Sequence, residues 1–286
     1  MSSDGAGTKR KPKAGRGAAR RAAPADDVPV RGPIRKRSPR KPRPRKNQSA
    51  PPAARTRGVL GGWFRRLGLF GLGLGAAPFA LMLLYGSASV HPVSTLMLRD
   101  ALTGHGYQRD WVPLDEFPDA LLASVLASED GRFCAHSGVD WDALGEMANA
   151  ALAGGSVRGA STITMQTVKN LFLPSGRSYV RKAIEVPLAL FADLVWGKRR
   201  TLEIYLNVAE WAPGHFGASA GARAWFGKDV RRLTRAEAAR LAVTLPNPYL
   251  RNPADPGPRQ TALARLNQRR AAAMRPYMRC LNAPET

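Results

Sequence analysis

From Leu67 to Val90 the chain runs for 24 residues without a charge, and Leu, Gly, Ala and Phe dominate the stretch. At 1.5 Å of rise per residue a helix of that length reaches about 36 Å, more than the ~30 Å of a bilayer's hydrocarbon core. The glycines and Pro78 weaken a helix in water but are tolerated in lipid, and Trp63 and Tyr85 stand near the two ends, where interfacial aromatics collect. The competing readings are a buried core helix and a signal peptide with a long leader. A signal's apolar region is shorter, and no small-x-small cleavage site follows directly. The segment is therefore expected to be a transmembrane helix over residues 67–90.

Charge is distributed unevenly around it. Residues 1–66 hold 20 Lys/Arg against Asp4, Asp26 and Asp27, a net +17 out of +23 for the whole chain. The part up to about Thr56 is rich in Pro, Ala, Gly, Lys and Arg and nearly devoid of large apolar residues, so it reads as a disordered cytoplasmic tail. The run from Arg35 to Lys46 reads as a solvated arm. It carries no aromatic interleaving for base stacking, so a membrane-tethered nucleic-acid binder is the remote alternative, and no nucleic-acid partner is expected. After the apolar segment only Arg99 and Arg109 occur within about twenty residues, and the positive-inside rule places residues 91–286 outside the cytoplasm. The expected organisation is a basic tail over 1–66, a single span over 67–90 in the cytoplasmic (inner) membrane, a juxtamembrane segment over 91–117 and a globular domain over 118–286.

That domain reads as mainly α-helical, since no stretch shows sustained strand alternation. Leu121, Leu122, Val125 and Leu126 fall on one face of a helix, and Glu129 extends that face at its C-terminal end. Loss of solvation and the negative end of the helix dipole both raise a carboxylate's pKa there, which suits a general base for a sugar hydroxyl. In Gly159–Asn170 a hydroxyl cap opens a helix on which Thr162, Gln166 and Lys169 are spaced i, i+4, i+7 on one polar face, suited to a phosphate-bearing ligand. A helix from about Ser178 to Trp196 carries Arg181, Lys182 and Glu185. Arg181 and Glu185 at i, i+4 also fit a plain surface ion pair, and Pro187 is expected to kink the helix. Leu202, Tyr205, Leu206 and Ala209 face inward on a further helix, and Thr234-x-x-Glu237 is a capping box opening a helix through Leu245. Cys134 and Cys280 form neither a metal site nor a disulfide framework; a bridge is one option, and unpaired thiols are the expectation.

Taken in order, five blocks resemble the glycosyltransferase domain of penicillin-binding proteins, and most closely the monofunctional biosynthetic peptidoglycan transglycosylases. They are Glu129 through Asp140, Gly159 through Leu173, Arg181-Lys182-Ala183-Ile184-Glu185, Lys198 through Lys228 with Tyr205-Leu206-Asn207, and Thr234 through Pro253. The resemblance implies a lysozyme-like, two-lobed helical domain with a long cleft, and it implies lipid II and the growing glycan strand as substrates. By position, Glu129 matches the family's catalytic base and Glu185 its second essential glutamate. Lys169, Arg177 and Arg181 fall where the family contacts the diphosphate, and Ser161, Thr162, Gln166 and Asn170 line the same region. His136 and Asp140 look structural. Met165 stands where the family commonly has glutamine, and Ala160 where it has glycine.

The expected reaction is an inverting transfer. Glu129 takes the proton from the 4-hydroxyl of the acceptor N-acetylglucosamine, and undecaprenyl diphosphate leaves the donor N-acetylmuramic acid. A divalent cation (Mg or Mn) is expected to assist, with Glu185 either holding it or orienting the donor, and other cell-wall synthesis proteins are candidate partners. The 33 residues after Pro253 are too few for a transpeptidase domain, so the chain is expected to be monofunctional. The main rival is a lytic transglycosylase or muramidase. The cations from Lys169 to Arg181 argue against it, because cleavage of finished glycan releases no diphosphate.

Overall fold

The computed structural model describes residues 57–155, 159–174, 176 and 179–282. The chain divides into the units Met1–Arg55 and Thr56–Thr286, and every described residue belongs to the second. The basic tail before Arg57 therefore lies outside the described residues.

Helix α1 spans Arg57–Tyr85, and its apolar part, Gly62–Tyr85, is long and apolar enough to cross a membrane while only 6% buried. Such exposure removes the core-helix reading, because a soluble protein does not leave Phe64, Phe70, Leu72 and Leu83 in water. The helix ends at Tyr85, five residues before the expected Val90, and Pro78 passes within it without a break. Trp196 donates its indole N–H to the Met82 carbonyl at 2.7 Å, and the buried Arg200 donates to the carbonyls of Tyr85, Ser87 and Val90. The orphan carbonyls of this helix end are thus satisfied by the globular body.

Residues 91–117, expected as a juxtamembrane segment, pack with that body. Helix α2 (Thr95–Leu102) is capped by Ser94 and buries Met97, and strand β1 (Gln108–Arg109) enters a small sheet. Then come α3 (Asp119–Glu129), α4 (Trp141–Leu152), α5 (Ile163–Phe172) and α6 (Tyr179–Val208), followed by β2 (Glu210–Ala212), β3 (His215–Phe216), α7 (Ala218–Phe226), α8 (Arg235–Ala242) and α9 (Pro258–Ala272). The sheet runs β1-β3-β2, with β1 parallel and β2 antiparallel to β3. Strands this short show no alternation, which is why the sequence reads as helical throughout.

Two apolar clusters make two lobes. One gathers α3, α8, α9 and the far half of α6 around Leu121, Leu126, Phe133, Tyr205, Trp211 and Leu241. The other gathers α5 and the near half of α6 around Met165, Val168, Ala189, Trp196 and Phe216, and it includes Met82 of α1. Helix α3 is buried from Leu121 through Leu126 on every side rather than on one face, because α8 and α9 both pack on it. The capping box of α8 forms as expected, although the helix stops at Ala242 rather than Leu245. Helix α6 continues through Pro187, which has no N–H to give the Ala183 carbonyl; Ala183 is exposed. The break comes instead at Gly197, whose φ of 63° only glycine adopts cheaply.

The expectation of free thiols is wrong. Cys134 and Cys280 form a disulfide with a Cα–Cα distance of 5.6 Å. Packing of α9 on α3 carries the closing turn at Arg279–Leu281 back to the turn at Phe133–Ala135, across a sequence separation of 146. Closing a loop that long is worth about 5 kcal/mol in chain entropy, and measured bridges commonly give about 2–4 kcal/mol. The Cys134→Ser/Cys280→Ser protein is accordingly expected to lose about 2–4 kcal/mol of unfolding free energy in chemical denaturation. An unchanged denaturation midpoint would contradict the bridge.

Candidate active site

The site is built outward from the end of α3. Asp130, just past that helix, buries its carboxylate and accepts from the Ile163 N–H at 2.9 Å and the His136 ring Nε2 at 3.0 Å. One carboxylate therefore ties three segments: the end of α3, the start of α5 and the loop at His136. Asp140 caps α4 by accepting from the Ala143 N–H at 3.0 Å.

Thr162 caps α5, accepting from the Met165 N–H at 3.1 Å and donating to the Gly138 carbonyl at 2.6 Å. Gly138 is irreplaceable on two counts. Its φ is +76°, and a Cβ there would sit 2.4 Å from the Ala189 carbonyl oxygen. Thr162 is consequently buried and turned inward, and it does not share a ligand-facing surface with Gln166 and Lys169 as its spacing suggested.

One turn into α5, Gln166 reaches back to the end of α3 and donates to Glu129 Oε2 at 3.2 Å. The hydroxyl of the fully buried Tyr205 donates to Gln166 Oε1 at 3.3 Å and so fixes which way the amide points. Ser128 donates to the other oxygen of Glu129 at 3.0 Å. Burial raises the pKa of Glu129, and it wins over the opposing hydrogen bonds from Gln166 and Ser128 and the charges of Lys169 and Arg251. The expected direction is thus present, with desolvation as its main cause.

Lys169, a further turn along α5, has its pKa lowered by burial; Glu185 pulls it back up, and Arg181 and Lys182 push it down. It lines a cleft of about 450 Å³ with Asn170, Arg181, Gly176, Pro174, Leu173, Thr95 and Leu96. Beside that cleft Glu185 is 3% exposed and holds Arg181 at 3.1 Å and Lys182 at 3.3 Å. The pair with Arg181 is therefore no surface bridge: it is a buried carboxylate that orients two cations. Lys182 also donates to Ser161 Oγ at 2.8 Å. Arg177 lies outside the described residues.

The structure thus joins Glu129 to Gln166, brings Lys169, Asn170 and Arg181 around one cleft, and links Ser161 through Lys182 to Glu185. Sequence reasoning missed Tyr205 as an orienter, Lys182 as the link between Ser161 and Glu185, and Thr95, which donates to the carbonyls of Asn170 and Leu173 at 3.1 and 3.0 Å. It also missed Arg251, whose charge is felt at Glu129. Of these, Lys182 alone carried a signal, standing beside Arg181 at helical spacing from Glu185. Met165 is fully buried and Ala160 is buried too, so neither lines the cleft.

A desolvated carboxylate bonded to Gln166 of α5, and oriented cations lining a cleft one turn further along that helix, suit an enzyme that transfers a glycosyl group, carried here on a two-lobed helical body. The transglycosylase family profile matches residues 97–275, and the chain belongs to that family, whose domain is lysozyme-like. It is 52% identical over 217 residues to a biosynthetic peptidoglycan transglycosylase of Rhizobium meliloti (strain 1021), covering 76% of this chain and 92% of that protein. A protein of the same name from Mesorhizobium japonicum is 52% identical over 236 residues, covering 80% of this chain and 99% of its own length. Another, from Brucella suis biovar 1, is 51% identical over 208 residues, 73% of this chain and 93% of that protein.

Proposed function

We propose that this chain is a peptidoglycan glycosyltransferase that polymerises lipid II into β-1,4-linked glycan strands with release of undecaprenyl diphosphate. The observation that carries the reading is the position of Lys169. It lines a cleft of about 450 Å³ together with Arg181, which Glu185 holds at 3.1 Å, and it stands one turn beyond Gln166, which donates to Glu129 at 3.2 Å.

In this reading Glu129, deprotonated and poorly solvated, takes the proton from the acceptor's 4-hydroxyl. Gln166, held by Tyr205, fixes one carboxylate oxygen so that the group keeps its aim. The hydroxyl oxygen attacks the donor's anomeric carbon, the bond to the diphosphate breaks on the opposite face, and the leaving charge falls to Lys169 and Arg181. Glu185 acts by positioning Arg181 and Lys182. Both of its oxygens are already engaged, and no group of three or more His, Cys, Asp or Glu among the described residues is arranged to hold a metal. Glu185 thus does not fit a resident metal's ligand. Mg or Mn enters this proposal as a counter-ion borne by the substrate's diphosphate, and no step is routed through it.

Helix α1 supports anchoring at the membrane that carries the lipid substrate. The disulfide supports the orientation read from the flanking charges, with the catalytic domain outside the cytoplasm, because such bonds persist in oxidising compartments. Other cell-wall synthesis proteins remain candidate partners.

The reading is tested by the pH profile of polymerisation. A base works deprotonated, so kcat/KM rises with pH through the pKa of Glu129, and that limb is expected above the ordinary glutamate value of 4.5. Gln166→Ala removes a hydrogen bond that holds the pKa down and is expected to move the limb to higher pH. A limb that stays in place would separate Gln166 from the base.

A further inference from the structure

Away from the cleft, a second cavity of about 540 Å³ is lined by Arg132, Cys134, Pro276, Tyr277, Arg279 and Cys280, so the disulfide forms part of its wall. Arg132 is already paired, with Asp142 at 2.7 Å and Asp140 at 3.6 Å. Tyr277 and Arg279 are not. Tyr277 is 61% exposed, Arg279 is also exposed, and neither side chain has a hydrogen bond or ion pair among the described residues. An exposed aromatic ring beside a guanidinium suits a ligand with an apolar sugar face and a carboxylate.

The surroundings narrow the choice of ligand. From Pro258 to Asn282 the chain carries Arg259, Arg265, Arg269, Arg270, Arg275 and Arg279 and no Asp or Glu, and all six arginines are exposed. Such a surface attracts a polyanion. Two polyanions are available outside a membrane: the anionic lipid surface and a glycan bearing acidic peptides. The cavity belongs to the lobe built around Leu121 and Leu241, into which Met274 and Leu281 pack and against which Cys134 and Cys280 rest. The anchor packs in the other lobe, through Met82 and Trp196. The basic surface is therefore on the lobe that does not hold the membrane helix.

We infer that this cavity is a second glycan site, which holds a finished strand by stacking a sugar on Tyr277 and pairing a peptide carboxylate with Arg279. The inference rests on the glycan-polymerising reading above. The site retains the product strand beside the enzyme without touching the reacting atoms.

The test is direct binding, which needs no turnover. Detergent-purified full-length protein is titrated against fluorescently labelled glycan strands carrying their peptides, against the same strands with the peptide carboxylates capped as neutral methyl amides, and against micelles containing phosphatidylglycerol. Arg279→Ala is expected to weaken binding of the uncapped strand by about ten- to a hundredfold and to leave the capped strand unchanged, with Arg279→Lys restoring part of the loss. Tyr277→Ala is expected to weaken both strands. Both residues are exposed, so the variants are expected to fold, as circular dichroism checks. Unchanged binding in both variants, or equal loss of the two strands in Arg279→Ala, would overturn the site. Loss confined to the phosphatidylglycerol micelles would assign the surface to the membrane instead. A protein that binds strands normally yet makes no polymer would refute the proposed function and leave this site standing.

Discussion

Glu129→Gln is expected to lower lipid II polymerisation by about 10²–10⁴-fold, the usual contribution of a positioned base. The amide keeps the volume of the side chain and still accepts from Ser128 or Gln166, so the cleft is expected to retain its shape and its affinity for substrate. The effect therefore belongs in kcat, with KM little changed. Thermal unfolding checks the alternative explanation, since a collapsed cleft would lower Tm together with the rate. Because burial is what raises the pKa of Glu129, the neutral amide is easier to bury, and the variant is expected to be at least as stable as the parent. A rate within about tenfold of the parent would remove Glu129 from the role of base.

The second large effect is expected at the leaving group. Lys169→Ala with Arg181→Ala removes two cations from one cleft. Each charge-assisted contact is worth about 1.5–3 kcal/mol, so the pair is expected to cost about 10²–10⁴-fold in polymerisation if the two act independently. Arg181 also orients against the buried Glu185, but Lys182 stays at 3.3 Å from that carboxylate, so the charge does not lose every partner. Binding separates function from folding. The double variant is expected to lose a diphosphate-bearing lipid far more than a glycan fragment without the diphosphate. Equal loss of both would make these cations structural and reopen a glycan-cleaving reading.

Much of this arrangement was legible because it is local. Glu129 sits four residues after Val125 at a helix end, Lys169 stands one turn from Gln166, and Thr234 and Glu237 meet across three residues. Each such relation follows from helical spacing alone. The same spacing misled at Thr162. Helical periodicity places it beside Gln166, but a cap residue has left the helix, and its hydroxyl is taken by the Met165 N–H and the Gly138 carbonyl. Residues 91–117 offered no sustained periodicity to read, yet Met97 and Trp111 pack into the body.

What stayed hidden depends on contacts between distant positions. Tyr205 reaches Gln166 across 39 residues, Thr95 reaches Asn170 across 75, and the two cysteines meet across 146. Nothing near Tyr205 in the sequence distinguishes a hydroxyl that orients an amide from an ordinary core tyrosine. The break in α6 shows the same limit in reverse. Pro187 looks like the weak point yet stands inside the helix, whereas the backbone leaves helical geometry at Gly197, where nothing in the local pattern announces it.

The central claim is that one cleft joins sugars while discharging a diphosphate. The most direct measurement incubates detergent-purified protein with lipid II and follows glycan length on a gel together with released undecaprenyl diphosphate. The account predicts a ladder of lengthening strands and a diphosphate yield that rises in step with each sugar unit joined, both abolished in Glu129→Gln. Absence of polymer from folded protein, or shortening of finished glycan strands without any diphosphate released, would contradict it.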